Sequence, residues 1–473
     1  MADLGGEVAL SRPPDSESAS RGRFRRVGSA AIAGVFAKVV VVACNLALVP
    51  VLVGFLGPVQ FGIWAAYQSL QGLLIFADFG IGNGMQNAVT VALANGDTRR
   101  AQSLISSALV ALLASAGILG VVAAVGFNVP SVVSWLSGGR PDDAELAAFR
   151  VGVAVFIATG LLAIPLSCGE RLALAMQQGF VTHASRAITT ILSFGCVLAL
   201  VNSKAGFAAI CVATSIPVLA GPLLSWLVVA RGRSWASPAI SAVSGHDTRA
   251  VLRSGVGFRA VQWTAILGFG LDAILIERYA GPVEVANYTV VQRLFGLVAM
   301  VVGIGLAPLW PAYADARARG DYAWLRTTFW RSLVATAVVA GGLSMSLAVL
   351  AGPIASRWLG NAINPPASLV TAFAAWSFVL ACGMAFSYFW NGMHMLRLQA
   401  VIGLLFVSIS LPAKIFTLQG GQATSVLVVN AIVFTVSSLL PGAIVTYMYL
   451  RSTPAAPAPE PSDPNASARY RPQ

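Results

Sequence analysis

Three cations inside apolar runs are the residues of this sequence best suited to chemistry. Lys38 lies about nine residues into the first run, Arg259 near the start of the seventh, and Arg293 one or two turns from the outer end of the eighth. An ionisable side chain deep in a membrane span costs about 3 kcal/mol, so each is a candidate functional group. For Arg259 and Arg293 an equal alternative is that the charge extends to a lipid headgroup, which is the expectation for Lys414 near the end of the eleventh run.

Amide side chains accompany these cations. The polar residues of the second run fall within an arc of about 80° at 100° per residue and are Trp64, Gln68, Gln71 and Asp78. A polar stripe facing lipid is penalised, so this one is predicted to face a water-filled cavity or another helix. Gln262 lies one turn from Arg259, and Gln292 is next to Arg293.

The two candidate acids, Asp78 and Asp272, have two interpretations. They could titrate during proton movement, or they could pair with cations as structural bridges. Asp272 is close in sequence to Glu277 and Arg278 at the predicted outer face, which favours the structural interpretation.

Composition places these groups in a membrane. Of the 473 residues 57% are hydrophobic and 10% charged, with a mean hydropathy of +0.77, against roughly 25% charged residues in a soluble domain. The net charge is +12, and the Lys and Arg residues lie mostly between the apolar runs. At these positions they indicate the topology of the helices in the membrane and not a nucleic-acid partner. Singly placed histidines and cysteines, and the lack of a phosphate-binding glycine loop, predict no metal, cofactor or nucleotide hydrolysis.

The predicted fold class is an all-α polytopic membrane protein with about twelve transmembrane helices. Each span needs about 20 apolar residues, and the runs are 29–53, 60–82, 103–127, 149–167, 184–202, 205–230, 256–277, 286–310, 328–350, 367–390, 397–417 and 424–450. A disordered tail, a six-helix bundle, a linker, a second bundle and a Pro-rich tail are predicted at 1–27, 28–230, 231–255, 256–450 and 451–473. Arginine-rich connections alternate with charge-poor ones, which places the linker and both termini in the cytoplasm.

An internal repeat relates the two bundles. One constant shift without gaps aligns turn-forming and polar residues: Gly57-Pro58-Val59 with Gly281-Pro282-Val283, Gln68 with Gln292, Gly72-Leu73 with Gly296-Leu297, and Gly96-Asp97 with Gly320-Asp321. Because six is even, the halves have the same orientation, a parallel repeat found in secondary transporters. Glycine and proline interruptions at 80–84 and 304–308 mark either a transport path or two helix ends.

Two stretches resemble a known transporter family. Residues 55–97, FLGPVQFGIW…LLIFADFGIGNGMQNAV…ANGD, strongly resemble the polysaccharide-flippase branch (Wzx-type O-antigen and exopolysaccharide transporters) of the multidrug/oligosaccharidyl-lipid/polysaccharide exporter superfamily. Residues 277–322 are similar to that family's helix 7–8 region. The two stretches cover about a fifth of the chain, and the helix count and repeat extend the likeness.

The resemblance implies a V-shaped pair of six-helix bundles in the bacterial cytoplasmic (inner) membrane. It implies a flippase that moves a lipid-linked oligosaccharide, typically on undecaprenyl pyrophosphate, between leaflets by alternating access. The implied partners are this cargo, membrane lipid and other polysaccharide-assembly proteins. Cations in a cavity of low dielectric constant suit a pyrophosphate, and amides suit sugar hydroxyls; the candidates are Lys38, Arg259 and Arg293, with Gln68, Gln71, Gln262 and Gln292.

Two other classes stay open on the sequence. A cation-coupled multidrug antiporter of the same superfamily would use carboxylates for exchange, but the intramembrane charges are more basic than acidic. An integral-membrane glycosyltransferase or polysaccharide polymerase would need catalytic side chains in an outer loop. The outer loop 54–60 has no charge, and the longest outer loop, about 128–148, is short for a catalytic domain.

Overall fold

The computed structural model describes residues 16–76, 78, 80–129, 143–254, 262–264, 266–360 and 362–452. Over these residues the regular secondary structure is helical, with no β-strand. The candidate Arg259 and parts of both predicted tails lie outside the described residues. Ten stretches of the described chain are long and apolar enough to cross a membrane, so the prediction of an all-α polytopic protein is confirmed.

The difference between these ten stretches and the predicted twelve helices has two sources. One stretch, Ala33–Leu74, contains the first two predicted helices, and the start of the seventh, 255–261, is outside the described residues. The element Ser16–Phe76, which begins inside the predicted tail, has one non-helical residue, Gly57, with φ 73° and ψ 169°. Glycine adopts this backbone readily. We name the arms on either side of Gly57 α1 (16–56) and α2 (58–76).

The chain reverses direction at Gly57. The Arg293 guanidinium donates hydrogen bonds both to the Asn45 carbonyl in α1, at 2.9 Å, and to Gln68 Oε1 in α2, at 3.2 Å. In a straight helix Asn45 and Gln68 would lie about 34 Å apart along the axis, which is too far for one side chain to contact both. The two arms therefore form a hairpin, as the sequence predicts.

The rest of the first half contains interrupted and continuous helices. After a break α2 resumes as Ile81–Ala94, and the helices that follow are α3 (Thr98–Asn128), α4 (Asp143–Leu166, resuming as Cys168–Ala175), α5 (Gly179–Asn202) and α6 (Phe207–Thr214, resuming as Ile216–Ala230). A linker with two 3₁₀ turns, Ser234–Ala236 and Ile240–Ala242, and a short helix, Gly245–Ser254, leads towards the second half.

The second half follows the same order. Its helices are α7 (Asp272–Ala280, after a π-helical turn at Ile266–Gly270), α8 (Pro282–Leu306, resuming as Leu309–Ala318), α9 (Tyr322–Leu359), α10 (Ala367–Gly392), α11 (Leu396–Leu418) and α12 (Thr424–Phe434, a π-helical turn at Thr435–Leu439, then Leu440–Ser452). Both α2 and α8 are interrupted, as the glycine and proline residues indicate.

The repeat is visible in the helix boundaries. The shift that takes Gly57 to Gly281 also takes the first residue of α3 to that of α9. Asp97 and Asp321 each accept a hydrogen bond from the backbone N–H three residues on, which satisfies a donor at the start of α3 and α9. α11 begins about two turns earlier than the same shift from α5 would place it. The described part of α4, with its continuation, is longer than α10 by about those two turns.

Buried side chains form one core shared by the halves and two cores confined to one half each. At the end of the molecule that contains Gly57, side chains of α1, α2 and α4 pack with those of α7, α8 and α10. Gly62 is required there, since a Cβ would overlap the Pro282 carbonyl. At the other end, which contains Asp97, each half packs around its own cluster. The halves are joined at the Gly57 end and part towards the Asp97 end.

Candidate functional site

A cavity of about 490 Å³ lies where the halves part, and its volume is typical of ligand pockets. We name it the central cavity. Its wall comes mainly from the first half, and α8 of the second half contributes one residue. The polar lining residues are Asn45, Gln68, Gln71, Glu170, Arg186 and Arg293, with the hydroxyls of Ser167, Thr190 and Thr214.

Arg293 enters this cavity from the second half. It lies eleven residues beyond Pro282, about 16 Å along α8, which begins before the predicted start at residue 286. Besides its bonds to Asn45 and Gln68, its guanidinium carbon is 5.4 Å from the Trp64 ring centre, a cation–π distance. Within the described chain no carboxylate pairs with it. Its charge is therefore available to an anion.

Two of the predicted glutamines accompany Arg293. Gln68 accepts a hydrogen bond from it. Gln292 is exposed in an adjoining cavity of about 300 Å³, which Gln68 and Arg293 also line. The structure therefore brings together three residues that the sequence placed in different halves.

The other two glutamines have different surroundings. Gln71 is buried, and its amide nitrogen donates to Thr159 Oγ1 at 2.6 Å and to Ser215 Oγ at 2.9 Å. These bonds tie α2 to α4 and α6, so this end of Gln71 stabilises the first half. Gln262 lies just before the π-helical turn of the second half, and its Oε1 is buried without a hydrogen-bond partner in the described chain.

Lys38 lies on the face of α1 that leads to the central cavity. Seven residues, two turns, separate it from Asn45, and the two differ by about 20° around the helix. Gly34, one turn before Lys38, packs against His183 of α5, where an added Cβ would be 3.2 Å from the ring. Lys38 is exposed and lies about 10 Å nearer the Asp97 end than Asn45. Lys38 is not among the residues that line the cavity, and it lies two turns from Asn45, which does.

An ion pair on the cavity wall was not predicted from the sequence. Arg186 Nη2 donates to both carboxylate oxygens of Glu170 at 3.0 Å. The predicted helices ended at 167 and began again at 184, which assigned Glu170 to a connection and Arg186 to the first turn of a helix. In the structure α4 resumes through Cys168–Ala175 and α5 begins at Gly179, so Arg186 lies two turns inside a helix.

Asp78 has a structural position at the break of α2. Its carboxylate accepts hydrogen bonds from the backbone N–H groups of Gly80, at 2.9 Å, and Gly82, at 3.3 Å. It thereby satisfies donors at the start of Ile81–Ala94, where a negative charge also suits the helix dipole. A Cβ on Gly82 would lie 2.8 Å from Asp78 and 3.3 Å from Arg171, so an arginine of α4 is adjacent.

Asp272 belongs to a buried cluster in the second half. Lys414 Nζ lies 2.6 Å from Asp272 Oδ1 and 2.5 Å from the carbonyl oxygen of Gly268, in the π-helical turn before α7. Asn430 Nδ2 donates to Asp272 Oδ2 at 2.9 Å. The Lys414 side chain is fully buried, so the expectation that it extends to a headgroup was wrong. Its partner is 142 residues away in the chain.

The arrangement suits binding rather than bond cleavage. The central cavity offers a guanidinium, amides and hydroxyls, which bind phosphate and sugar hydroxyls. Across the described ranges no group of three His, Cys, Asp or Glu side chains could hold a metal ion.

Solved structures of transporters share this fold. An inward-facing multidrug resistance MATE family transporter of the MOP superfamily superposes with a TM-score of 0.69 at 16% identity, over 87% of this chain and 96% of that one. An outward-facing structure of a multidrug resistance MATE family transporter gives a TM-score of 0.61 at 15% identity, over 89% and 94%. At these identities the likeness is one of fold.

Sequence relatives point to polysaccharide export. A Yersinia pseudotuberculosis protein provisionally named O-antigen export protein is 22% identical over 282 residues, 57% of this chain and 61% of the relative. A Salmonella typhimurium LT2 protein provisionally named O-antigen transporter is 22% identical over 292 residues, 60% of this chain and 64% of the relative. The matches thus span less than two thirds of either relative. Residues 31–316, well over half of the chain, match the family model described as polysaccharide biosynthesis protein, and the chain belongs to that family.

Proposed function

We propose that this protein moves an anionic, lipid-linked oligosaccharide across the bacterial cytoplasmic membrane. Arg293 carries the proposal: it is a deep guanidinium that reaches a cavity of about 490 Å³ and is held by neutral acceptors. In a site of low dielectric constant such a group binds a phosphate or diphosphate strongly. The family match and the names of the relatives support a polysaccharide intermediate as cargo.

The polar residues of the cavity suit the rest of the cargo. Gln68 and Gln292 line the cavities next to Arg293, and their amides can donate to and accept from sugar hydroxyls. The Thr190 hydroxyl donates to the Arg186 carbonyl, so towards a sugar it can only accept. The polyprenyl tail can stay in the surrounding lipid, because many apolar side chains on the outside of the helices are exposed. The exposed Lys38 would attract the headgroup by long-range electrostatics.

The packing of the halves supports alternating access. The shared core closes the Gly57 end, and the separate cores leave the Asp97 end open. By the distribution of arginines the Asp97 end faces the cytoplasm, as do both termini. Cargo would enter there, and release would require the halves to part at the Gly57 end instead.

A multidrug antiporter is the second candidate, because its fold is shared. A cationic drug would need a carboxylate in the cavity with no cation already beside it. Asp272 is bonded to Lys414 and Glu170 is bonded to Arg186. The charges that line the cavity therefore favour an anionic cargo over a cationic drug.

Deletion of the gene, followed by mass spectrometry of extracted lipids, tests the proposal. We expect complete diphosphate-linked repeat units to accumulate while surface polysaccharide is lost, and the wild-type gene to restore it. Arg293→Ala should fail to restore it. Arg319→Ala, which removes an exposed arginine paired with Asp315, is the matched control and should restore it fully.

Three other outcomes would overturn the proposal. Sensitivity to cationic drugs with unchanged polysaccharide would favour the antiporter. Loss of the repeat units themselves would favour a glycosyltransferase. Full restoration by Arg293→Ala would remove the central observation.

A further inference from the structure

The central cavity contains a cation that is already neutralised. Glu170, in the segment of α4 after its break, accepts two hydrogen bonds of 3.0 Å from Arg186 of α5. The Arg186 side chain is 56% exposed and that of Glu170 is 21% exposed. Both can therefore be reached by a ligand, and the pair can be separated without breaking a buried core.

The second cation of the same cavity has no such partner. Arg293 is bonded to a carbonyl and an amide oxygen. Of the described residues that line the cavity, Glu170 is the one carboxylate. Within the described residues the cavity thus presents one guanidinium from the second half that no carboxylate pairs with and one from the first half that Glu170 neutralises.

A further cation lies near the pair. His183 is one turn before Arg186 on α5 and its ring packs against Gly34 of α1, and the exposed Lys38 is one turn after Gly34. A carboxylate in such surroundings lowers the net positive charge that an approaching headgroup meets.

We propose that Glu170 sets the selectivity of the cavity for diphosphate lipids over lipids with a single phosphate. A phosphodiester headgroup carries one negative charge, which Arg293 can satisfy while Glu170 keeps Arg186 occupied. A diphosphate bound at Arg293 carries a second phosphate on the same molecule. Its effective concentration near Arg186 is high, so it can displace the Glu170 carboxylate and form bidentate bonds to the guanidinium.

This inference rests on the proposed function, because it assumes that the cavity takes a lipid-linked anion. It explains how a basic cavity next to a membrane avoids filling with anionic phospholipid. Specificity is a difference between two affinities. The carboxylate denies Arg186 to a ligand with a single phosphate, which loses the whole bond, while a diphosphate forms that bond less the cost of displacing Glu170. Glu170 therefore lowers both affinities, and it lowers the affinity for the lipid with a single phosphate more.

Competition binding to the full-length protein in nanodiscs of neutral lipid tests the proposal. The probes are undecaprenyl diphosphate and phosphatidylglycerol. For Glu170→Gln we expect the affinity for phosphatidylglycerol to rise about tenfold, because a charge-assisted bond to Arg186 becomes available. The affinity for the diphosphate should stay equal or rise less, so the ratio of the two affinities falls.

Matched variants separate this effect from a general change in charge. Asp315→Asn removes a carboxylate from an exposed arginine pair outside the cavity and should leave the ratio unchanged. Glu170→Asp retains the charge and should keep most of the selectivity. If Glu170→Gln does not fold, Arg186→Gln provides the test: the affinity for the diphosphate should fall towards that for phosphatidylglycerol.

The outcomes distinguish the two proposals. Failure of the wild-type protein to bind undecaprenyl diphosphate would overturn the proposed function. Tight binding of the diphosphate with an unchanged affinity ratio in Glu170→Gln would overturn the role of Glu170 and leave the proposed function standing. An equal change in Asp315→Asn would also overturn it, because the effect would then be one of net charge.

Discussion

Arg293 and Lys414 are both cations deep inside helices of the second half, and their surroundings are opposite. Arg293 points across to the first half, where a carbonyl, an amide and an indole ring hold it at the edge of a cavity. Lys414 points into its own half, where a carboxylate and a carbonyl enclose it and leave it no exposed surface. A charge in a membrane span is therefore informative about function only together with its partner.

The charged groups of the two halves differ in the same way. Within the described residues, the acid of the second-half cluster is matched by a cation and an amide, which makes the cluster a link between α7, α11 and α12. The first half instead has Lys38 and the Arg186–Glu170 pair at accessible positions. We therefore expect variants in the cluster to change stability and variants around the cavity to change binding.

Lys414→Met gives the largest expected effect. It leaves the Asp272 carboxylate buried without its cation, which should lower the free energy of unfolding by about 3–5 kcal/mol. Unfolding of the purified protein in detergent measures the change. The double variant Lys414→Met/Asp272→Asn should recover much of the loss, and a single variant as stable as wild type would contradict the assigned pair.

Arg293→Ala should weaken binding of a diphosphate lipid by about 10- to 100-fold, because charge-assisted hydrogen bonds contribute about 1.5–3 kcal/mol each. The thermal stability should change much less than for Lys414→Met. Binding and unfolding measured on the same preparation check both parts. A loss of stability without a loss of affinity would make Arg293 a structural residue like Lys414.

Asp78→Ala should lower the free energy of unfolding by about 0.5–2 kcal/mol, the usual cost of losing a helix cap. Asp78→Asn retains a side-chain acceptor and should be milder. Affinity for the diphosphate should be unchanged in both, as measured by the same competition assay. A specific loss of transport in Asp78→Asn would instead support a role in proton movement.

Lys38→Ala should have the smallest effect, a few-fold slower uptake of cargo that disappears at high salt, since an exposed charge outside the cavity acts over a screened distance. Lys38→Arg should behave as wild type. Transport measured at two ionic strengths tests this, and an unchanged rate at low salt would remove Lys38 from the pathway.

Sequence reasoning captured what depends on local chemistry. Single turns fix the residue types at the repeated positions: glycine at positive φ in Gly57 and Gly281, and an aspartate cap after Gly96 and Gly320. The repeat could therefore be recognised from the sequence. The amphipathic stripe of α2 correctly placed Gln68 towards other helices. The number of helices could be predicted because each membrane span needs about 20 apolar residues.

Side-chain pairs between distant helices could not be predicted from the sequence in the same way. Nothing local links Lys414 to Asp272, because the two are 142 residues apart and the site exists only after three helices pack. The Arg186–Glu170 pair was missed for a different reason. The segment that carries Glu170 is less apolar than the rest of α4, so the predicted helix ended about two turns before the helix in the structure does.

The two extra turns of α4 have a consequence for how cargo lies in the molecule. They make the pseudo-twofold relation between the halves incomplete, and the segment after the break of α4 carries Glu170. A ligand between the halves meets unlike walls, with the Arg186–Glu170 ion pair on one side and Gln292 on the other. A molecule with a phosphate end and a sugar end therefore has one preferred orientation in the cavity. We expect the protein to bind its cargo in that orientation.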